Sequence, residues 1–147
     1  MTRDRRLSQT LHALLHMSEQ ERPMTSAELA VCMSTNPVVV RRTMAGLREA
    51  GFVRSEKGHG GGWEIACDLR KTTLKDIYDA LGAPELMAMG VSLEGSHCMV
   101  ERAVNRSLTD AFEEAQQVLV KRLSGVTLAT LAEDFKAGAK AHRARHK

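Results

Sequence analysis

Two helix-start signals stand close together near the N-terminus, and they constrain this chain more than anything else in it. Thr25-Ser26-Ala27-Glu28 is a capping box, in which the Thr25 hydroxyl takes an orphan backbone amide and Glu28 reaches back to do the same. Asn36-Pro37 is the second signal, a capping side chain followed by a ring whose fixed φ suits the first helical position. The first of these helices can extend only to about Met33. The second runs from Pro37 to Ala50, where Gly51 ends it by tolerating positive φ. Two helices joined by Met33-Ser34-Thr35-Asn36 have the length and turn of a helix-turn-helix, whose second helix enters the DNA major groove N-terminus first.

The residues after Gly51 strengthen that reading. Phe52-Val53-Arg54-Ser55-Glu56-Lys57 and Trp63-Glu64-Ile65-Ala66 are short β-like runs, and Gly58-His59-Gly60-Gly61-Gly62 between them is a turn. A glycine-rich hairpin directly after a recognition helix makes a wing, whose bare backbone can approach phosphates closely. The same run taken alone could be a nucleotide phosphate loop or a hairpin without a role. A phosphate loop, however, sits between a buried strand and a helix, and this turn lies between two polar strands.

Within the helix from Pro37 to Ala50, Val40, Met44 and Leu47 are spaced to form the buried face. Val38, Arg42, Ala45 and Glu49 then lie opposite, with Arg41 and Arg48 flanking. Arginine matches the paired acceptors of guanine, and Val38 or Val39 can meet a thymine methyl. On an isolated helix, Arg41 and Arg42 would be ordinary solvated side chains; the adjoining wing turns the balance toward base reading. The candidate DNA contacts are therefore Thr25, Asn36, Val38, Val39, Arg41, Arg42, Lys57, Gly58, His59, Gly60 and Gly61, with Lys57 supplying charge and His59 the wing tip. Net charge is only +3, but residues 1–71 hold 11 Lys/Arg against 8 Asp/Glu while residues 72–147 hold 10 of each, so the excess lies in the DNA-reading half.

Elsewhere the pattern is helical. Leu7, Leu11, Leu14 and Leu15 mark a first helix from about Arg5 to Met17, and Thr73 caps another to about Leu81. Gly82, Pro84, Gly90 and Gly95 mark a loose connection. From about His97 to Leu123 no Gly or Pro intervenes, which predicts one helix of roughly 40 Å. Its stripe of Val104, Leu108, Ala111, Ala115 and Val118, widened by Phe112, Leu119 and Leu123, exceeds what a short neighbour could cover, so a second copy of the chain is the expected cover. Thr127 caps a last helix bearing Leu128, Leu131, Ala132 and Phe135, beyond which a basic tail is expected to fray. The expected organisation is a DNA-binding region over 1–82, a connection over 83–96 and a dimerisation region with a C-terminal helix over 97–147. The fold class is mainly α with a small β-hairpin wing.

Aromatic residues make up only 3% of the chain, which excludes a base-stacking platform for single-stranded nucleic acid. No apolar run approaches the about 18 to 20 residues of a membrane span, and no signal-peptide core follows Met1, so the chain is read as cytoplasmic and without a membrane partner. Cys32, Cys67 and Cys98 are odd in number and widely spaced, fitting neither a disulfide framework nor a zinc site.

The run Leu47-Arg48-Glu49-Ala50-Gly51-Phe52-Val53-Arg54-Ser55, followed by Gly58-His59-Gly60-Gly61-Gly62-Trp63, resembles the Rrf2 family of bacterial transcription regulators. The family shows a Leu-x-x-x-Gly-Leu-Val-x-Ser run and a Gly-x-Gly-Gly-Tyr wing, and Phe52 and Trp63 replace its commoner Leu and Tyr with similar apolar bulk. Thr73-Leu74-Lys75-Asp76-Ile77 and Thr127-Leu128-Ala129-Thr130-Leu131 resemble two later motifs, so the likeness spans nearly the whole chain. It implies a homodimer with paired long helices and two wings gripping a near-palindromic operator in double-stranded DNA. It also implies a repressor answering a redox or small-molecule effector, and no enzyme. By position, Val38, Val39, Arg41 and Arg42 fall where the family reads bases. The competing reading is a winged helix used as a protein–protein interaction module, which needs no groove-reading arginines.

The sensory half departs from the family's cluster-binding members. Those carry three closely spaced cysteines before the long helix, because thiolates must converge on iron. Here that region offers Cys98 alone, so an intra-chain iron-sulfur cluster is not expected, nor any other cofactor or metal. Beside His97, Cys98 can be read as a redox-switch thiol, as one ligand of an intersubunit metal site, as a nucleophile, or as an inert cysteine. A nucleophile would need a positioned base, and adjacent residues on a helix start do not face each other. The dipole at a helix N-terminus favours thiolate, which keeps the redox reading open. His12 and His16 are one helical turn apart, a metal-binding spacing, but with no third ligand in view they read as an exposed polar face.

Overall fold

A computed structural model describes residues 4–57, 61–85 and 98–145. Among the described residues, four of the six helices begin at a side-chain cap, at Thr25, Asn36, Thr73 and Thr127, and the other two start after Arg5 and Cys98 with no side-chain cap hydrogen bond. Helix α1 spans Arg6–Ser18, α2 Ser26–Cys32 and α3 Pro37–Glu49; strands β1 and β2 cover Val53–Glu56 and Gly62–Ile65; α4 spans Leu74–Ala80, α5 Met99–Ser124 and α6 Leu128–Arg145. Thr25 Oγ1 accepts from the Glu28 amide at 3.2 Å and Asn36 Oδ1 from the Val39 amide at 3.1 Å. Thr73 and Asp76 complete a reciprocal capping box on α4. The box at Thr25 is only half made, because the Glu28 carboxylate pairs with the Arg22 guanidinium at 3.1 Å instead of reaching back. Gly51 takes φ 86° after α3, and the turn between α2 and α3 passes through Ser34 at φ 51°.

The expected mainly α fold with a small wing is what forms. β1 and β2 pair antiparallel with Val53 opposite Ile65, Arg54 opposite Glu64 and Ser55 opposite Trp63. One core unites α1 to α4 with the wing: Leu14 from α1, Leu29 from α2, Val40, Met44 and Leu47 from α3, Val53 from β1 and Ile77 from α4 are all buried.

Leu128, the first residue of α6, is buried in that same core. The backbone carries it there. The Leu74 amide donates to the Val126 carbonyl and the Leu128 amide to the Thr72 carbonyl, both at 2.9 Å, closing a bridge between Thr73 and Thr127. The chain therefore leaves along α5 and returns to pack against α1. Past Phe135 it does not fray as expected: α6 stays helical to Arg145, since Ala, Lys and Arg are strong helix formers. Residues 86–97, most of the expected connection, lie outside the described residues.

Helix α5 is different in kind. Its 26 residues are about 39 Å long and none of them is buried. Val104 is 50% exposed and Val118 69%, on the stripe that periodicity assigned to a partner.

Candidate nucleic-acid interface

The helix-turn-helix positions α3 through its apolar face. Val40, Met44 and Leu47 are fully buried, which fixes the rotation of the helix and turns the opposite edge outward. On that edge Val38 is 57% and Val39 37% exposed, and Arg41 and Arg42 lie beside them in the open. None of the ion pairs among the described residues involves Arg41, Arg42 or Lys57. An exposed valine pair next to two uncompensated guanidinium groups gains nothing for the fold. It does match the chemistry of a base edge, methyl contact beside bidentate donors.

Asn36 is exposed; its side-chain oxygen accepts the cap hydrogen bond, and its amide NH2 can face a ligand. Thr25 is half-buried and its hydroxyl caps α2, leaving it close to the wing rather than at the outer edge of α3. Lys57 is exposed just past β1, and Gly61 is half-buried just before β2. Gly58, His59 and Gly60, expected at the wing tip, lie outside the described residues.

Three residues that sequence reasoning left without a role hold the wing to the helix-turn-helix. Met24 and Trp63 exchange backbone hydrogen bonds, Met24 N to Trp63 O at 2.9 Å and Trp63 N to Met24 O at 2.8 Å, so Met24, just ahead of the Thr25 cap, acts as a third strand position. The Trp63 indole N–H donates to Ser26 Oγ at 3.1 Å. Arg48, near the end of α3, places its guanidinium 5.7 Å from the Trp63 ring centroid and donates to Ser55 Oγ at 3.4 Å. Gly62 makes the close approach possible, since a Cβ there would stand 2.3 Å from the Met24 carbonyl oxygen. Three successive glycines were the available signal, but only the fold says which backbone one of them approaches.

Cys98 is exposed at the N-cap of α5. The backbone amides of Glu101 and then Val100 face its sulfur and hold the thiol below its ordinary range. Cys32 and Cys67 are half-buried against the core.

Residues 3–134 match the Rrf2 family, described as an iron-dependent transcriptional regulator. Among relatives, the chain is 29% identical over 124 residues to a protein of Bacillus subtilis described as the HTH-type transcriptional regulator YwnA, covering 84% of this chain and 91% of that one. It is 25% identical over 130 residues to its counterpart YffB of Lactococcus lactis, covering 86% and 83%. A crystal structure of a transcriptional regulator from Lactobacillus plantarum superposes with a TM-score of 0.72 at 23% identity, covering 97% of this chain and 99% of that one. At that identity the superposition speaks for the fold.

The family description brings iron with it, and the donors of this chain can be held against that. Cys32 lies in α2, Cys67 beyond β2 and Cys98 at the start of α5. Among the described residues no three His, Cys, Asp or Glu side chains converge as a metal-binding group. The described residues of one chain do not fit an iron centre or cluster, which needs several ligands converging on the metal.

Proposed function

The chain belongs to the Rrf2 family of transcriptional regulators, and from that premise we propose that it acts as a homodimeric repressor reading a near-palindromic operator. Recognition falls to the outer edge of α3, with Val38, Val39, Arg41 and Arg42 at the bases. Lys57 and the wing glycines take the phosphates, and Asn36 and Thr25 set the start of the two helices against the duplex. The observation that carries this reading is the exposed, unpaired state of Arg41 and Arg42 on a helix whose opposite face is locked into the core.

Dimerisation is assigned to α5, since a helix of this length with no buried residue and an apolar stripe is costly to leave in water. A pair of such helices would set the two recognition helices one turn of DNA apart or a multiple of it. The signal is assigned to Cys98, exposed at the head of that helix with a favoured thiolate, where oxidation would act at the dimer-forming element. A small-molecule effector is the second form such a signal can take.

The test is an operator recovered by selection from random duplexes, followed by fluorescence anisotropy at fixed salt. Arg41→Ala and Arg42→Ala should each cost about 1–3 kcal/mol on that operator and relax specificity at one base position. Lys57→Ala should weaken all sequences alike and lower the salt slope by about one. Undiminished operator affinity in both arginine variants would refute the recognition assignment and favour the protein–protein module. Leu108→Glu with Leu119→Glu should give monomers by sedimentation equilibrium. Oxidation should alter operator binding in the native chain but not in Cys98→Ser.

A further inference from the structure

One feature of α1 is absorbed neither by the core nor by DNA reading. His12 and His16 bring their Nε2 atoms to 2.9 Å, with ring centroids 4.7 Å apart and planes tilted by 50°. Both side chains line a cavity of about 250 Å³ between α1 and α6, together with Leu15, Glu19 and Phe135. The Glu19 carboxylate is held at its rim by Lys136 of α6 at 3.5 Å.

From this juxtaposition we infer that His12 and His16 form a two-imidazole site for a divalent first-row cation, seated at the α1–α6 junction. The ligand class follows from the donors, two imidazole nitrogens one helical turn apart on the same face. With metal–nitrogen bonds of about 2.0–2.1 Å, two imidazoles at right angles on one ion stand about 2.9 Å apart, and at the tetrahedral angle about 3.3 Å. The observed 2.9 Å is short enough for both nitrogens to reach one ion with little side-chain movement, and imidazole nitrogens suit the later first-row ions Ni2+, Cu2+ and Zn2+. Without a cation, one N–H shared between the two rings gives a hydrogen bond at a partly exposed surface, where its net worth is small. For a cation to use both Nε2 lone pairs, the ring that carries the shared proton takes its N–H on Nδ1 instead, the proton being exchanged through solvent.

Neighbouring side chains add to the site. Glu19 follows His16 by three residues and His12 by seven, so helical periodicity puts all three on one face. Its carboxylate is paired with Lys136 at the cavity rim and is not one of the ligands. Leu15 and the half-exposed Phe135 ring cover the apolar side of the cavity, and water fills the remaining coordination positions from the open side. Because α6 begins in the core at Leu128 and reaches this cavity at Phe135, the two imidazoles lie beneath α6, which covers the site without supplying a ligand.

The experiment is calorimetric titration of NiCl2 into the full-length chain, without an affinity tag and with a non-coordinating phosphine reductant. One Ni2+ per chain is expected. Loss of an outer partner alone typically costs about 10–100-fold in metal affinity, so His12→Gln and His16→Gln should each weaken binding at least about tenfold. Cys98→Ser should bind as the native chain does, which separates this site from anything built around the thiol. Native affinity in either histidine variant, or loss in Cys98→Ser instead, overturns the assignment. The readout involves no operator and stands apart from the reading of α3. Thermal unfolding of the variants confirms that they fold, as expected for side chains at the surface.

Discussion

Gly62→Ala tests how the wing is held, and its cost can be worked from the structure. The new Cβ would lie 2.3 Å from the Met24 carbonyl oxygen, 2.6 Å from its carbon and 3.0 Å from the Thr25 nitrogen. All three are backbone atoms that no rotamer change can move aside, so β2 has to draw away from Met24. That breaks the two Met24–Trp63 backbone hydrogen bonds and pulls the Trp63 indole from Ser26. Three net hydrogen bonds at about 1 kcal/mol each amount to about 3 kcal/mol. For a chain of this size, at about 2–4 °C per kcal/mol, Tm should fall by about 6–12 °C in a circular-dichroism melt. Gly138→Ala provides the opposite sign. Gly138 lies in α6 with nothing within 4 Å of its would-be Cβ, so alanine there should stabilise by about 0.5–1 kcal/mol. A Gly62→Ala melt within about 2 °C of the native chain would refute the close-approach argument.

The packing of α6 and the start of α5 each give a further expected outcome. Leu128→Ala should cost about 2–5 kcal/mol by urea unfolding, because Leu128 is fully buried in the core of the DNA-binding region; a loss under 1 kcal/mol would mean that α6 is only loosely attached. Because backbone amides depress the Cys98 pKa, its thiolate persists to lower pH than that of an ordinary cysteine. Iodoacetamide labelling of Cys98, followed by mass spectrometry across pH, should therefore reach half its maximal rate below the midpoint of a cysteine in a short unstructured peptide. A midpoint at or above the peptide's would contradict the amide geometry.

Much of the interface was legible because its signals are local. The caps at Asn36 and Thr73 formed as read, and the spacing of Val40, Met44 and Leu47 set which side of α3 is buried. The capping box at Thr25 was half misread, since a carboxylate that can reach back can equally meet a nearby guanidinium, here Arg22. Arg48, Ser26 and Met24 gave no signal, because an arginine stacked on an indole and a residue acting as a strand of one look ordinary in sequence. His12 and His16 were visible as a pair, but the Phe135 that roofs them lies far along the chain.

The helix-turn-helix, the hairpin and the unbroken α5 were determined by sequence alone, because capping, periodicity and glycine tolerance act within a turn or two of chain. The tertiary structure alone decided where the chain goes after α5. A helix about 39 Å long carries the backbone away from the DNA-binding core, and nothing in its own periodicity says whether the next segment returns. It does return, because Leu128 finds the core and the Thr72 and Leu74 backbone offers Val126 and Leu128 their hydrogen bonds. That return lays α6 on α1, creating the histidine-lined cavity, and leaves the apolar stripe of α5 open to solvent in a single chain.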